Sequence, residues 1–130
     1  MTEMPGIDDR MALIGQEHCE IDRMIKAIGG TAQSDEAKLT ALSMVGALID
    51  LSAAHTAGEE ELMILYKYDR YDEHVADHSE IFSEMAIILA DLERLKSVDW
   101  GRFALRFHEI YKSHRIAFDE PFFEFLKGCF

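Results

Sequence analysis

Six histidines stand in this chain, and five of them fall where helical spacing would gather them with acids. His74 and His78 are four apart, so on a helix both rings leave the same face. His55 and Glu59 are also four apart, in an earlier segment. His18 lies well before them, and His114 is followed five residues later by Asp119. Nitrogen and oxygen donors without thiolate suit first-row transition metals, iron among them. Two carboxylates in such a set can bridge two metal ions held about 3.5–4 Å apart. They also lower the charge of a dinuclear centre in a low-dielectric site. An excess of neutral imidazoles over carboxylates distinguishes the set from a glutamate-dominated oxidase site. We read it as favouring reversible oxygen binding over oxidation of a substrate.

These donors meet only if helices bring them together. A first helix is predicted from about Met11 to Ile28, on the spacing of Ile14, Ile21, Met24, Ile25 and Ile28. Gly29-Gly30 ends it, and residues 1–10 read as a short, partly ordered lead-in. Ser34 suits an N-cap, and a second helix runs on from Lys38 to Tyr66 despite Gly46 and Gly58. Residues 67–71 form a tight connection, and a third helix spans Asp72 to Leu95. Asp99 caps a fourth helix from Trp100 to about Ala117. Pro121 is expected to break or kink the chain after that helix, leaving Phe122 to Leu126 as a short terminal turn or helix. The fold expected is all-α: an antiparallel up-down-up-down four-helix bundle with a short N-terminal lead-in and a short C-terminal helix. Residues 1–130 fit one domain. One spacing strains this picture. A five-residue step covers roughly 500° of a regular helix, so His114 and Asp119 would point about 140° apart. Both can serve one site only if the backbone departs from regular helix. Pro121 favours that, because its missing N–H frees the carbonyl of Ala117.

The ordered set of His18, His55-x-x-x-Glu59, His74-x-x-x-His78 and His114-x-x-x-x-Asp119 resembles the hemerythrin family, most of all its single-domain bacterial members. The segments Ile14-Gly-Gln-Glu-His-Cys-Glu-Ile-Asp, His55-Thr-Ala-Gly-Glu-Glu-Glu-Leu-Met and His74-Val-Ala-Asp-His carry the likeness, which runs from about residue 11 to 126. The resemblance implies two iron ions (Fe2+/Fe3+) with an oxo or hydroxo bridge. One iron would be held by His74, His78 and His114, the other by His18 and His55 with one position open. Glu59 and Asp119 would bridge both. Dioxygen would bind reversibly at the open position, for storage, delivery or scavenging. Sensing of oxygen, redox state or nitric oxide through a separate partner is the alternative use of the same site. A di-iron oxidase of the ferritin type would show paired Glu-x-x-His motifs, and the chain has none. Nor does it have the His-Glu-x-x-His of zinc hydrolases. An enzyme is therefore not expected.

The rest of the composition sets limits. With 25 acidic against 13 basic residues the formal net charge is -12, and no basic stripe is present to hold nucleic acid. The start of the chain lacks a basic region followed by an apolar run, so a secretory signal is not expected. The longest unbroken apolar stretch, Met85 to Ala90, is far too short to span a bilayer. Cys19 and Cys129 match no redox or zinc spacing. A reduced cytoplasmic setting is expected, and a monomer, with a small homo-oligomer as the other option. Several residues receive ordinary readings. His108 fits no ligand position. Glu60 and Glu61 are taken as solvated, and Asp77 as facing outward. Asp22 either orients His18 or lies in solvent, and Cys19 is read as a buried inert thiol. Leu62, Met63 and Phe82 are candidates to line an oxygen pocket, and Tyr66, Tyr68, Tyr71 and Tyr111 are read as packing residues rather than radical carriers.

Overall fold

On the four long helices, buried positions form a stripe that advances by alternating steps of four and three residues. That repeat keeps one seam turned toward a bundle core. The structure is a computed structural model and describes residues 6–129. α1 (Ile7–Gly29) buries Ile14, Ile21, Ile25 and Ile28, with His18 at the stripe position between the first two. α2 (Asp35–Leu65) buries Ala41, Val45, Leu48, Ser52, His55, Glu59 and Leu62 in the same rhythm. α3 (Tyr71–Arg94) buries His74, His78, Ile81, Met85, Ile88 and Leu92. α4 (Trp100–His114) buries Trp100, Ala104, Phe107, Tyr111 and His114. The candidate donors thus hold seam positions where an ordinary bundle carries Leu or Ile.

α1 packs on α2 and α4, α2 on α3, and α3 on α4, so the four helices close a ring with chain neighbours side by side. The connections over 30–34, 66–70 and 95–99 are short, which forces antiparallel neighbours. No strand occurs among the described residues. The all-α four-helix bundle expected from the sequence is the fold observed. Ser34 caps α2 by accepting from the Ala37 N–H at 3.1 Å. Asp99 caps α4 by accepting from the Arg102 N–H at 3.1 Å. α2 ends in a Schellman turn: Tyr68 N–H donates to Met63 O at 2.9 Å and Lys67 N–H to Ile64 O at 3.2 Å. Lys67 takes the left-handed position at φ 55°, where glycine is usual, and the turn delivers the Tyr68 ring to the core.

Two boundaries differ from the expectation. α1 begins at Ile7, so the lead-in is shorter than ten residues. Asp8 and Asp9 sit in the first turn, where they complement the helix dipole, and Ile7 and Met11 pack on the bundle's aromatic end. Residues 1–5 of the expected lead-in fall outside the described residues. Pro121 does not break the fourth helix. A π-helical turn (Arg115–Asp119) follows α4 and runs into α5 (Glu120–Gly128), which has proline in its first turn, where no N–H is needed.

Two apolar cores result. The larger joins Ile25, Leu48, Met85, Leu92, Trp100 and Phe107 with their neighbours. The smaller joins Ile14, Leu62, Met63, Tyr68, Phe122 and Leu126. Gly29 permits close approach of α1 to α4, since a Cβ there would lie 2.9 Å from Ala104 Cβ. α2 is long and apolar enough to cross a membrane by length and averaged hydropathy. Ser52, His55, Thr56 and Glu59 within it are buried among the other helices.

Candidate metal centre

Between the two cores lies a layer to which each of the four long helices contributes a donor. α1 supplies His18, α2 His55 and Glu59, α3 His74 and His78, α4 His114, and the π turn Asp119. All seven residues singled out in the sequence come together. Their candidate donor atoms form two groups, each within 4.8 Å of itself: Glu59, His74, His78, His114 and Asp119 in one, and His18, His55, Glu59 and Asp119 in the other. Glu59 and Asp119 belong to both.

The π turn resolves the five-residue step. Glu120 N–H donates to Arg115 O, a bond to the fifth residue back rather than the fourth. Residues five apart then share a face, and His114 Nε2 lies 2.9 Å from Asp119 Oδ1. The expectation that the backbone departs from regular helix here is met by one extra residue in one turn. Beyond it the seam resumes at Phe122 and Leu126.

Both carboxylates reach both groups, Asp119 with one oxygen on each side and Glu59 with Oε1 also 3.7 Å from His78 Nε2. Asp119 Oδ1 faces His74 Nε2 at 3.1 Å and His114 Nε2 at 2.9 Å, while Oδ2 faces His18 Nε2 at 3.3 Å. Glu59 Oε1 lies 3.1 Å from His55 Nε2, and Oε2 turns toward His74 Nε2 at 3.9 Å. His78 Nε2 and His74 Nε2 each stand 3.2 Å from His114 Nε2. Imidazole nitrogens converging in this way offer lone pairs to a common point, and protons can satisfy only some of them.

Electrostatics agree. Glu59 is fully buried, yet neither of its oxygens accepts a hydrogen bond. A buried carboxylate without donors is costly unless a cation meets it. Burial, followed by the charge of Asp119, pushes the Glu59 carboxyl well above the usual carboxylate range. For Asp119, burial acts upward, but hydrogen bonds from His114, His18 and His74 outweigh it and hold the group well below that range. Burial, then the neighbouring His114 and His74, lowers His78 to about 3. Burial also works against a charge on His114, but Asp119 and Asp77 prevail and push it up to about 9. Without metal, protons on Glu59 and His114 therefore neutralise charge that bound cations would otherwise neutralise.

Comparison with known family models, curated proteins and solved structures finds no match to this chain. The donor geometry itself thus carries the functional reading. The residues fit a dinuclear metal centre: two donor groups, two shared carboxylates and buried polar atoms left without partners.

Aromatic rings from the chain's last segment cover the layer. Phe118 stacks on His114 with centroids 5.5 Å apart, Phe122 meets His74 edge-on at 5.9 Å, and Phe123 meets His18 at 6.1 Å. Leu62 and Met63 are buried in the smaller core beside Phe122, whereas Phe82 packs on the larger core.

Several residues taken as ordinary prove otherwise. Glu60 is not simply solvated: it accepts from His78 Nδ1–H at 3.2 Å. Asp77 does not face outward, but accepts from His114 Nδ1–H at 2.5 Å. Glu17, which the spacing did not single out, accepts from His55 Nδ1–H at 3.1 Å. The sequence signal was adjacency, since each of the three is next to a donor. Asp22 neither orients His18 nor lies free; it pairs with Arg115 at 2.6 Å. Cys19 is exposed rather than buried, because it sits one position off the α1 seam. His108 is exposed and away from the layer, as expected. Tyr111 is buried, and its hydroxyl meets Ser52 Oγ and, at 3.5 Å, Met85 Sδ.

Proposed function

We propose that this protein holds two iron ions in the layer and binds dioxygen reversibly there, for storage, delivery or scavenging. The sharing of Glu59 and Asp119 between two donor groups is the observation that carries this reading. It agrees with the resemblance of the donor spacing to the hemerythrin family. His74, His78 and His114 would hold one ion, His18 and His55 the other, with the two carboxylates between them. Five imidazoles and two carboxylates suit iron in both oxidation states. Bound iron would supply two electrons and one open coordination position, which is what reversible dioxygen binding requires.

The chain's own residues account for the rest. The second group has two histidines where the first has three, so the open position belongs beside His18 and His55. His18 is the most accessible donor, with 17% of its side chain exposed, and gives a small ligand a way in. Phe118, Phe122 and Phe123 keep bulk water from the layer, which protects a reduced centre from irreversible oxidation. Nitric oxide, a diatomic of similar size, is a second ligand for the same position. Nucleic acid and membrane are not partners on this reading, and the setting is the reducing cytoplasm.

Metal content measured together with the visible spectrum tests it. The anaerobically reduced protein should contain two irons per chain and be nearly colourless. It should colour on adding oxygen and fade when oxygen is removed. Two irons that oxidise irreversibly would move the function to sensing or catalysis. Absence of stoichiometric metal would overturn the reading.

A further inference from the structure

Each helix turns its donor inward and the charged neighbour of that donor sideways. Glu17 precedes His18 on α1 and reaches His55 of α2. Glu60 follows Glu59 on α2 and reaches His78 of α3. Asp77 precedes His78 on α3 and reaches His114 of α4. At the fourth junction Arg115, which follows His114, donates to both oxygens of Asp22 on α1, at 2.6 and 3.1 Å. Asp22 sits one turn after His18. Four links thus pass once around the bundle, one at each interface, outside the donor layer.

The three carboxylates share a further feature. Each accepts from Nδ1 of a ring whose Nε2 points into the layer. An imidazole can ligate only through a nitrogen free of its proton. A carboxylate on the other nitrogen pins the proton there, fixes the ring plane and makes the ligating nitrogen more basic. The carboxylate side chains are 20–27% exposed, so as ion pairs they add little to folding. Orientation of the rings accounts for their placement better than stability does. His74 gives the contrast: its Nδ1 is buried with no hydrogen-bond partner, and its ring is held by packing between Phe118 and Phe122.

The geometry points to Glu17, Glu60 and Asp77 as positioning residues that lock three imidazoles in the metal-binding tautomer and tune the ions they hold, with Arg115 and Asp22 closing the ring. This rests on the dinuclear reading above. Asp77 makes the shortest link and has the largest expected effect.

The test compares wild type with Asp77→Ala, Asp77→Asn and Asp77→Glu. Circular dichroism checks that each is helical, and Glu60→Ala with His78 as reporter stands in should Asp77→Ala fail to fold. The first readout needs no metal. Proton NMR of the 15N-labelled metal-free protein should show a downfield His114 Nδ1–H protected from exchange, and Asp77→Ala should lose it. The second readout is Co2+ titration followed by its d–d spectrum. Asp77→Ala should weaken binding by about 10- to 100-fold, and Asp77→Glu should recover part of it. The third is the reduction potential of the iron-loaded protein. Asp77→Asn keeps an acceptor but removes the charge, so it should shift the potential positive while losing less affinity than alanine. An unprotected His114 Nδ1–H in wild type would overturn the ring, whatever the metal does. Tight Co2+ binding with unchanged affinity, spectrum and potential in the Asp77 variants would overturn it and leave the metal reading standing. A protected proton in a wild-type protein that binds no metal would overturn the dinuclear reading and, with it, the role given to Asp77.

Discussion

The two halves of this bundle are built on opposite principles. In the larger core, Ile21, Ile28, Val45, Leu48, Ile88 and Leu92 are fully buried and carry no polar side-chain atom. Each such aliphatic side chain contributes about 1.5–3 kcal/mol by leaving water. In the donor layer the same seams carry His55, Glu59, His74, His78, His114 and Asp119, equally buried. There both oxygens of Glu59 and the Nδ1 of His74 lack hydrogen bonds. One half supplies the stability that the other gives up. The comparison teaches that apolar burial is concentrated in one half, while the other buries a His, Glu and Asp group that could hold a metal ion. Metal should then add to stability rather than be its sole source.

Glu59→Gln should break this division most severely. It removes a carboxylate shared by both donor groups but keeps its volume. Affinity for both ions should fall by more than the roughly 100-fold seen for outer partners of metal ligands. The metal-free protein should instead gain stability, by about 1–3 kcal/mol, because a buried acid without donors becomes a neutral amide. Calorimetric metal titration and thermal melts of the metal-free variant read the two signs separately. A melt lower than wild type would contradict the claim that Glu59 strains the unloaded fold.

Within the layer, the two donor groups should not respond equally. His114→Ala removes one of three histidines from the deeper group and also orphans Asp77. His18→Ala removes one of two from the more accessible group. We expect the His18 variant to keep one tightly held ion per chain. The His114 variant should lose about 10- to 100-fold in the tightest binding step. Metal stoichiometry after dialysis distinguishes them. Equal losses would mean that the two groups form one cooperative site.

The fold was legible in the sequence because its seams are regular. Ile14, Ile21, Ile25 and Ile28 sit at helical spacing, and Ser34 and Asp99 announce two helix starts. Leu39 and Leu65 of α2, apolar by type, are exposed at 70% and 56%. Both lie off the steps of four and three, and in a helix as apolar as α2 composition conceals which face is inside. The donors were legible by type and spacing, and the five-residue step foretold irregular backbone without saying that the helix would continue through it. Proline at α5's first turn needs no N–H partner, so it is compatible with both a break and a π turn. Asp77 and Glu60 were misread because burial of a carboxylate's partner, not its own position, decides its role. Nothing in one helix's periodicity shows which ring on the next helix it will meet.

Acidity offers a gentler way to sharpen the contrast, since the donor layer holds His114, Glu59 and His78, whose proton affinities burial and neighbouring charges shift. In the metal-free protein His114 is raised from 6.5 to about 9, so its stabilising proton is fully present below pH 6.5 and lost as pH rises through 9. Glu59, raised above 4.5, also binds its proton more tightly folded than unfolded and adds to the same decline. His78, lowered from 6.5 to about 3, acts oppositely: its contribution is complete above pH 6.5 and lost as pH falls toward 3. Between 4.5 and 6.5 the Glu59 and His78 trends oppose each other. Above 6.5 only the decline remains, so the metal-free melting temperature should drop from pH 6.5 to pH 9. Bound metal displaces those protons, and the loaded protein should show a flatter profile across that window. Melts at both pH values, with and without metal, check it. A metal-free profile that rises there would contradict the proton placement.

The smallest effect expected at the donor layer comes from the opposite end of the bundle. A Cβ at Gly29 would stand 2.9 Å from Ala104 Cβ, a contact that neither side chain can relieve by rotating. Gly29→Ala must therefore push α1 from α4, at a cost of about 1–3 kcal/mol, of which the better helix propensity of alanine returns up to about 1 kcal/mol. Ala104 lies ten residues before His114, or about 15 Å along the helix. If the aliphatic half holds the fold and the donor layer holds the metal, the variant should melt lower and yet titrate metal with wild-type affinity and stoichiometry. A matching loss of affinity would show that strain at the far end reaches the layer. The Arg115–Asp22 link ties the π turn to α1 one turn after His18, so an Asp22→Ala variant combined with Gly29→Ala would show whether that link carries the strain.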